Sequence, residues 1–229
     1  LYELQVRSFT AHESSNVKAP GTFLGVTEKI PYLKKLGVTG VMLMPVFDFD
    51  ENYLKGRVNL WGYECLNTFY FAPKASFAAS DNPASEFKTM VEKLHKAGID
   101  VYMDLVFDRQ TKPATMLQCA QMYANIYGVD GFRVDDSRMD LGVYLSDEKL
   151  SNCRFFASNI NDETLRIYSD RVITCNDGFK NTIRRYIKGD EGITRLIYDY
   201  LKERGYNAPL CYIADHNVNL KALSIADTQ

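Results

Sequence analysis

The stretch of the 229-residue chain with the clearest capacity for chemistry is GVDGFRVDD, residues 128–136. Apolar residues around Phe132 are typical of a short buried strand, and Arg133 and Asp135 interrupt that pattern. An acid beside an arginine stays ionised at neutral pH, which suits a nucleophile. Glycosidic chemistry, one use of such a carboxylate, also requires a second, protonated carboxyl group as the acid. The stretch therefore predicts Asp135 as a nucleophile kept ionised by Arg133, and it leaves the acid to be found.

A structural role fits the same two residues. Arg133 and Asp135 lie two positions apart in the chain, so on a strand both side chains point to one side of the sheet. They could form a buried ion pair that holds the end of the strand. The local pattern alone leaves the catalytic and the structural interpretation open.

Composition limits the class of protein. The chain is 46% hydrophobic and 24% charged, as in ordinary soluble globular domains. Its 27 basic and 29 acidic residues are mixed along the chain and give a formal net charge of -2. No basic stripe indicates nucleic acid, and no apolar run approaches membrane-spanning length. We therefore expect no nucleic-acid partner and no membrane partner, and we expect the function to lie in a local site.

Cysteine and histidine usage indicates neither a metal nor a cofactor. The five cysteines are scattered, odd in number and without a CxxC spacing, which predicts reduced, buried thiols and favours a cytoplasmic protein. The three histidines are too few and too far apart to favour a zinc site. The chain begins with LYELQVRSF, without methionine or a leader, so we expect it to be a trimmed piece of a longer chain.

Short apolar runs alternate with amphipathic segments, which predicts one parallel α/β domain over residues 1–229. The predicted strands are residues 1–9, 38–46, 99–107, 129–135, 153–159 and 209–217. The predicted helices are residues 27–37, 83–98, 113–128, 181–190 and 193–205. Thr27 is the expected cap of the first helix, and the helix over 83–98 has the clearest apolar period.

The predicted loop after the second strand, residues 48–83, is long and rich in aromatic residues. In a parallel barrel the loops that leave the carboxyl ends of the strands carry the active site. Aromatic rings there could bind the flat apolar faces of sugars, or they could pack the loop onto the barrel. These rings belong to Trp61, Tyr63, Phe69, Tyr70 and Phe71. We interpret Tyr63 as a binding residue and favour packing for the other four.

The order of four stretches between residues 21 and 135 is distinctive: GTFLGVTEKIPYLKKLGVTGVMLMPVFDFDE, WGYECLNTFYFAPKASF, EFKTMVEKLHKAGIDVYMDLVF and YGVDGFRVD. With NDGFKNTIRRYIKGDEG and YIADHNVNLKAL further on, they resemble the alpha-amylase superfamily of glycoside hydrolases. The resemblance is greatest to its glycogen-debranching branch, the isoamylase and pullulanase relatives. It implies a (β/α)8 barrel that cleaves or transfers α-1,6- or α-1,4-linked glucose with retention, through a covalent intermediate. It also implies an α-glucan or a malto-oligosaccharide as the partner.

The resemblance implies roles for particular residues. In the segment DLVFDR, Asp104 is kept as a substrate-binding residue, and Arg109 stands where the family has a histidine that touches the reacting sugar. Arg133 and Asp135 match the family's arginine and nucleophile positions. Tyr63 matches a tyrosine that lies under the reacting glucose.

Two positions depart from the family at the point of chemistry. The third segment is best matched by RFFASNIN, which places Ser158 at the general-acid position. In the fourth segment, ADHN, His216 is kept as a sugar-contacting residue and Asn217 replaces the aspartate that stabilises the transition state. A serine hydroxyl does not give up its proton at useful pH, and general acid help contributes typically about 10²–10⁴-fold. We therefore expect a debranching-type hydrolase domain with impaired catalysis.

Two other interpretations stay open. The chain could be a non-catalytic α-glucan-binding pseudoenzyme that keeps Tyr63, Asp104, Asp135 and His216 around a sugar-shaped cleft, or a structural barrel segment without a ligand. A barrel of this type needs eight strand–helix units and about 250 residues, and no eighth strand is evident in the sequence. We therefore expect an incomplete or reduced barrel, with an exposed strand edge unless neighbouring sequence completes it.

Overall fold

The computed structural model describes residues 1–51, 58–63, 65, 67–135, 137–157, 160, 164, 167–168, 170–174, 177–197, 211–213 and 216–218. For residues 174, 177–180, 211–213 and 216–218 it describes the backbone alone. Strands and helices alternate along these residues, as the sequence predicts.

The strands of the described residues are β1 (Tyr2–Leu4), β2 (Gly40–Leu43), β3 (Phe47–Phe49), β4 (Thr68–Pro73), β5 (Asp100–Leu105), β6 (Gly131–Val134), β7 (Arg154–Ala157), β8 (Val172–Thr174), β9 (Cys211–Ile213) and β10 (His216–Val218). The helices are α1 (Val6–Thr10), α2 (Phe23–Glu28), α3 (Ile30–Lys35), α4 (Pro83–Lys96), α5 (Pro113–Met122), α6 (Leu141–Ser146) and α7 (Asp177–Lys188). A π-helical turn, Tyr123–Tyr127, extends α5.

Six of these strands form one parallel sheet in the order β1-β2-β5-β6-β7-β8. Because consecutive members of the sheet are neighbours and helices connect most of them, the arrangement is that of successive β/α units. The pairs β3–β4 and β9–β10 are antiparallel hairpins. In the second hairpin β10 approaches β1 and β9 approaches β8, so it lies near both edges of the sheet. The predicted α/β class is confirmed, and the described strands form part of a barrel.

The central strands are buried on both faces, as expected for a parallel sheet covered by helices. Every residue of β2 is buried, and so is β5 from Val101 to Leu105. Helix α4 confirms the helix predicted over 83–98, and its buried apolar residues are Phe87, Met90, Val91 and Leu94. This packing fixes the carboxyl ends of β5 and β6, where the candidate site residues begin.

The prediction of one strand over residues 1–9 is wrong in its second half. Helix α1 begins at Val6, and the Gln5 side chain caps it by accepting a hydrogen bond from the backbone N–H of Ser8 at 2.6 Å. Val6 and Thr10, four residues apart, are the buried residues of this helix. The cap and the helical spacing therefore outweigh the strand-like composition of the segment.

Thr27 is not the cap of one helix over residues 27–37. That stretch contains the end of α2, whose cap is Thr22: its hydroxyl accepts a hydrogen bond from the backbone N–H of Gly25 at 3.1 Å. Helix α3 follows, with Pro31 in its first turn. Because proline has no N–H and its ring clashes with the preceding turn, the helix cannot run through this point.

The other differences are α6, which no predicted helix covers, the start of α7 at Asp177 instead of residue 181, and several short strands. The hairpin β3–β4 lies within the predicted loop 48–83, and β8 has no counterpart among the predicted strands. The predicted strand over 209–217 is described as β9 and β10, which pair with each other. Three-residue strands carry too little periodicity to be recognised in a sequence. Of the helix predicted over 193–205, residues 198–205 lie outside the described part of the chain.

The cysteines and the helices can be compared with what the composition predicts. Cys119 and Cys153 are buried free thiols, and burial raises the pKa of the Cys153 thiol to about 11, so it stays protonated at neutral pH. Cys65 is free and half-buried, whereas the side chains of Cys175 and Cys211 lie outside the description. Within the described ranges, each helix is too short or too polar to cross a membrane.

Candidate active site

The centre of the candidate site is an ion pair between two neighbouring strands. The parallel register of β5 and β6 places Asp104 directly beside Arg133. The Arg133 guanidinium donates from Nε to Oδ1 and from Nη2 to Oδ2 of the Asp104 carboxylate. Asp104 is only 3% exposed, so this bidentate pair replaces the hydrogen bonds to water that the buried carboxylate loses.

Two further side chains complete a hydrogen-bonded network around Arg133. Its Nη2 donates to Glu3 Oε1 at 2.7 Å and to the Tyr63 hydroxyl oxygen at 3.3 Å. The Tyr63 hydroxyl donates to Asp104 Oδ2 at 2.5 Å. Burial, and then the nearby Asp104 carboxylate, raise the pKa of Tyr63, so its hydroxyl remains a donor. Although burial opposes its charge, hydrogen bonds to Asp104 and Glu3 raise the pKa of Arg133.

Asp135 lies next to this network but belongs to the turn that follows β6. It is exposed, and its Oδ1 accepts hydrogen bonds from the Ser137 backbone N–H at 3.1 Å and the Ser137 hydroxyl at 2.6 Å. Its backbone carbonyl accepts from the N–H groups of Arg138 and Met139. Among the described residues Oδ2 has no hydrogen-bond partner, so one carboxylate oxygen remains available to attack a ligand.

The expected direct pairing of Arg133 with Asp135 is wrong. Because β6 ends at Val134, Asp135 turns away with the chain, and the ion-pair partners of Arg133 are Glu3 and Asp104. An influence of the Arg133 charge on Asp135 through space stays a prediction.

A cleft of about 580 Å³ is lined by Asp135, two residues after Arg133, and by Gly62, the residue before Tyr63. Among its lining residues are Gly62, Tyr70, Asp108, Arg109, Asp135 and Arg138. Arg138 fixes one wall, since its guanidinium donates to the carbonyl oxygens of Phe107 and Asp108, both at 2.5 Å. The exposed Arg109 has no ion-pair or hydrogen-bond partner within the part of the chain that the structure describes. The predicted nucleophile and Arg109 therefore share one cleft.

Asp108 is the other carboxylate of this cleft. Its Oδ2 accepts from the Tyr70 hydroxyl at 3.0 Å, and its Oδ1 accepts from the backbone N–H of Gln110 at 2.8 Å. Burial alone would raise its pKa, but these hydrogen bonds outweigh burial and hold the pKa below the usual range. Asp108 is therefore ionised at neutral pH and cannot serve as a proton donor.

The aromatic residues of the loop differ in their burial and in their hydrogen bonds. Tyr70 is buried, with its ring centroid 4.8 Å from that of Phe107, and its hydroxyl holds Asp108. Phe69 and Phe71 are exposed on β4. Tyr63 alone among the five rings donates its hydroxyl to the Asp104 carboxylate.

The segment that carries Tyr63 is held at several points. Gln5 Nε2 donates to the carbonyl oxygen of Leu60 at 3.0 Å, and Asn59 Nδ2 donates to the carbonyl oxygen of Tyr63 at 2.6 Å. Gly62 has φ +81°, and a Cβ there would lie 2.8 Å from the ring of Phe49. Only glycine fits this turn without strain, so the local sequence places the Tyr63 ring.

The start of the same loop is held by an ionic cluster. Glu51 accepts hydrogen bonds from Arg7 at 2.7 Å and from Ser76 at 2.9 Å, and it lies 3.2 Å from the buried Lys74 ammonium. These partners, Arg7 first, lower the pKa of Glu51 to about 2, although burial opposes the shift. The cluster ties the loop to α1.

In the parent chain, the free energy of unfolding should decrease as the pH falls below 4.5. Replacing Glu51 with glutamine is expected to make this decrease less steep. The folded-state pKa of Glu51 is lowered from 4.5 to about 2, so its contribution is full above pH 4.5 and is lost as the pH falls through 2. Because the group is partly exposed, we expect a difference of about 1–2 kcal/mol between the two proteins over this window. Urea unfolding across the window measures it. The exposed Glu92→Gln variant should follow the parent curve, and equal slopes for both variants would contradict the prediction.

The structure leaves three predicted site residues unassigned. Ser158 lies outside the described residues, so its role at the general-acid position stays a prediction. His216 and Asn217 lie on β10, where they pair with Ile213 and Tyr212 of β9, and only their backbone is described. In the described ranges no group of three histidine, cysteine or acidic side chains could hold a metal ion.

Sequence reasoning missed Glu3, Ser137 and Arg138. A signal was present for Glu3, because it is an acid at the carboxyl end of the first strand, where barrel sites form. Nothing local indicates that Arg138 binds the carbonyl oxygens of Phe107 and Asp108, about thirty positions earlier in the chain. Such contacts follow from the sheet order alone.

The chain is similar to proteins of a known family. The family described as alpha amylase, catalytic domain, matches residues 5–123, just over half of the chain. Chloroplastic isoamylase 1 of rice is 42% identical over 117 residues, which is 47% of this chain and 14% of the relative. The glycogen operon protein GlgX homolog of Haemophilus influenzae is 43% identical over 118 residues, 49% of this chain and 18% of the relative.

A longer alignment extends the likeness beyond the first half. Chloroplastic isoamylase 3 of rice is 28% identical over 272 aligned positions, which cover 84% of this chain and 34% of the relative. The chain thus spans between 14% and 34% of the length of these relatives. The aligned positions outnumber the chain's own 229 residues, so the relative has insertions in this stretch.

Solved structures establish the fold at low identity. A mutant pullulanase from Paenibacillus barengoltzii, complexed with maltotetraose, has a TM-score of 0.63 at 21% identity and covers 79% of this chain and 40% of its own. An alpha-amylase from Geobacillus thermoleovorans, complexed with acarbose, has a TM-score of 0.62 at 16% identity, covering 89% and 57%. The partial parallel sheet is therefore an incomplete (β/α)8 barrel of the kind predicted.

Proposed function

The chain belongs to the alpha-amylase catalytic-domain family, and we propose that it binds α-glucan or malto-oligosaccharide chains of the debranching type in the cleft at Asp135. One observation supports this most: Tyr63, Asp104 and Arg133 form a single hydrogen-bonded network, and their chain neighbours Gly62 and Asp135 line the cleft. All three match positions that the family resemblance assigns to the sugar site. The network is buried enough to be rigid, so the binding surface is formed before a ligand arrives.

We infer that hydrolysis is impaired although the nucleophile is in place. Asp135 would attack with Oδ2, forming a bond to the anomeric carbon while the glycosidic C–O bond breaks. The leaving oxygen then needs a proton at the moment of departure. A serine at position 158 does not supply it, and Asp108 is ionised. The sugar alkoxide would have to leave unprotonated, which is slow.

A non-catalytic α-glucan-binding protein is the second candidate. It is favoured because Asp108, which shares the cleft with Asp135, has a lowered pKa and cannot act as the proton donor. The two candidates share the binding site and differ only in residual turnover. A cytoplasmic location remains part of the proposal for either one.

Replacing Tyr63 with alanine is expected to weaken malto-oligosaccharide binding at least about tenfold. The change removes the ring face offered to the sugar and the hydroxyl that orients Asp104; tenfold corresponds to about 1.4 kcal/mol. Calorimetric titration with maltotetraose measures it. Tyr63→Phe keeps the ring and should retain most of the affinity.

Phe69→Ala is the matched control, because this ring lies on the same loop, is 65% exposed and takes no part in the network. Its affinity should equal that of the parent chain. If Tyr63→Ala and Phe69→Ala bound maltotetraose equally well, Tyr63 would not be part of the sugar site.

A further inference from the structure

The turn after β6 carries a serine that contacts the carboxylate of Asp135 directly. The Ser137 hydroxyl donates to Asp135 Oδ1 at 2.6 Å, and the Ser137 backbone N–H donates to the same oxygen at 3.1 Å. Hydrogen bonds to a charged acceptor are stronger than those between neutral groups. Ser137 thus binds one oxygen of the carboxylate twice, whereas Oδ2 has no hydrogen-bond partner among the described residues.

The turn that carries Ser137 is itself held in place. The Asp135 backbone carbonyl accepts from the N–H groups of Arg138 at 3.0 Å and of Met139 at 2.9 Å. The Met139 side chain is buried in the hydrophobic core, and the Arg138 guanidinium donates to the carbonyl oxygens of Phe107 and Asp108. Ser137 therefore donates from a segment that is tied both to the core and to the chain that leaves β5.

Attack on a sugar requires one orientation of the Asp135 side chain. Oδ2 supplies the electron pair for the bond to the anomeric carbon, and the bond to the leaving group breaks with its own pair. Oδ1 becomes the carbonyl oxygen of the ester and can keep its hydrogen bonds. An aspartate carboxyl group rotates over a broad range unless something holds it, and reacting atoms must lie about 3–3.5 Å apart and aligned.

Asp135 is exposed, so packing does not provide this orientation. The ion pairs of Arg133 are made with Glu3 and Asp104 instead. In the part of the chain that the structure describes, every hydrogen bond to the Asp135 carboxylate comes from Ser137. The orientation of the carboxylate therefore depends on this one residue.

We propose that Ser137 is a positioning residue for the nucleophile: its hydroxyl holds the Asp135 carboxylate in the orientation that presents Oδ2 to the anomeric carbon. This inference rests on the proposed function, since it requires a sugar bound in the cleft. It adds that the hydroxyl acts on the chemical step and not on sugar binding. Its removal should lower the rate of attack and leave the affinity for sugar unchanged.

α-Maltosyl fluoride measures the attack alone, because fluoride leaves as an anion without acid help. With the whole chain in excess over this substrate, the limiting rate of fluoride release reports the attack, and the half-saturating concentration reports binding. Ser137→Ala keeps the backbone N–H and should lower the limiting rate about tenfold at an unchanged half-saturating concentration. Ser137→Thr keeps a hydroxyl and should retain most of the rate.

Ser146→Ala is the matched control, because it removes an exposed serine hydroxyl that donates to the Val143 carbonyl oxygen on α6. Its limiting rate should equal that of the parent chain. Calorimetric titration with maltotetraose should give the parent chain, Ser137→Ala and Ser146→Ala the same affinity. Equal affinities together with a rate lost in Ser137→Ala and kept in Ser137→Thr would support the positioning role.

The other outcomes separate this role from the function on which it rests. If Ser137→Ala binds maltotetraose and releases fluoride as fast as the parent chain, the positioning role is refuted and the binding function stands. A weaker affinity of Ser137→Ala for maltotetraose would make Ser137 a binding residue, contrary to the proposal. Maltotetraose binding without fluoride release by the parent chain would overturn it as well. If maltotetraose releases no heat with the parent chain, the proposed function itself fails.

Discussion

Replacing Arg133 with methionine is expected to lower the free energy of unfolding by about 3–5 kcal/mol, because removing one partner of a buried ion pair leaves an uncompensated charge. Asp104 is almost fully buried, and Arg133 also neutralises Glu3. Urea unfolding measures the change. Arg154→Met is the matched control: its ion pair with Asp100 joins β7 to β5 at 3.5 Å, and both side chains are about half exposed. Surface pairs of that kind contribute roughly 0–1 kcal/mol.

A double variant separates stability from binding at the same place. Changing Arg133 to methionine and Asp104 to leucine together removes both charges, and an apolar pair of similar volume is often tolerated. We expect this variant to regain part of the stability that Arg133→Met loses, since Glu3 still lacks its ion-pair partner, and to bind no malto-oligosaccharide. Equal free energies of unfolding for Arg133→Met and Arg154→Met would show that the ion pair between Arg133 and Asp104 contributes no more than an exposed pair.

Restoring two acids is expected to have the largest effect on activity. Ser158→Glu together with Asn217→Asp should raise the release of reducing ends from pullulan or glycogen by about 10²–10⁴-fold, the usual contribution of a general acid. The restored glutamate would protonate the leaving oxygen while Asp135 attacks. Adding Asp135→Asn to the double variant should remove the gain.

The single variants show which group limits the reaction. Ser158→Glu alone should recover part of the rate, because it supplies the proton, whereas Asn217→Asp alone should recover little. If the double variant still binds maltotetraose but never gains activity, the assignment of Ser158 or Asn217 to those positions is wrong.

Long periodic elements could be predicted from the sequence. The helix over 83–98 and the strands around β5 and β6 follow from apolar spacing, which reflects burial on one helix face or on both faces of a strand. The family resemblance added Tyr63 and Asp104, which are 41 positions apart. No local pattern could have connected these two side chains.

Contacts that depend on the order of strands could not be predicted. Arg133 bonds to Glu3, 130 positions away, because β1 and β6 project side chains toward the same end of the sheet. The expectation that it pairs with Asp135 assumed that β6 continues, whereas it ends at Val134. The prediction of short elements fails for a related reason. In α1, a single cap by Gln5 decides between strand and helix.

α-Maltosyl fluoride separates nucleophilic attack by Asp135 from proton donation to the leaving group. Fluoride leaves as an anion with the bonding electron pair, so Asp135 can form the bond to the anomeric carbon without acid help. We expect fluoride release by the parent chain, its loss in Asp135→Asn, and no detectable cleavage of glycogen by either. Rapid glycogen cleavage by the parent chain would show that a proton donor is present. Fluoride release that Asp135→Asn leaves unchanged would show that Asp135 is not the nucleophile.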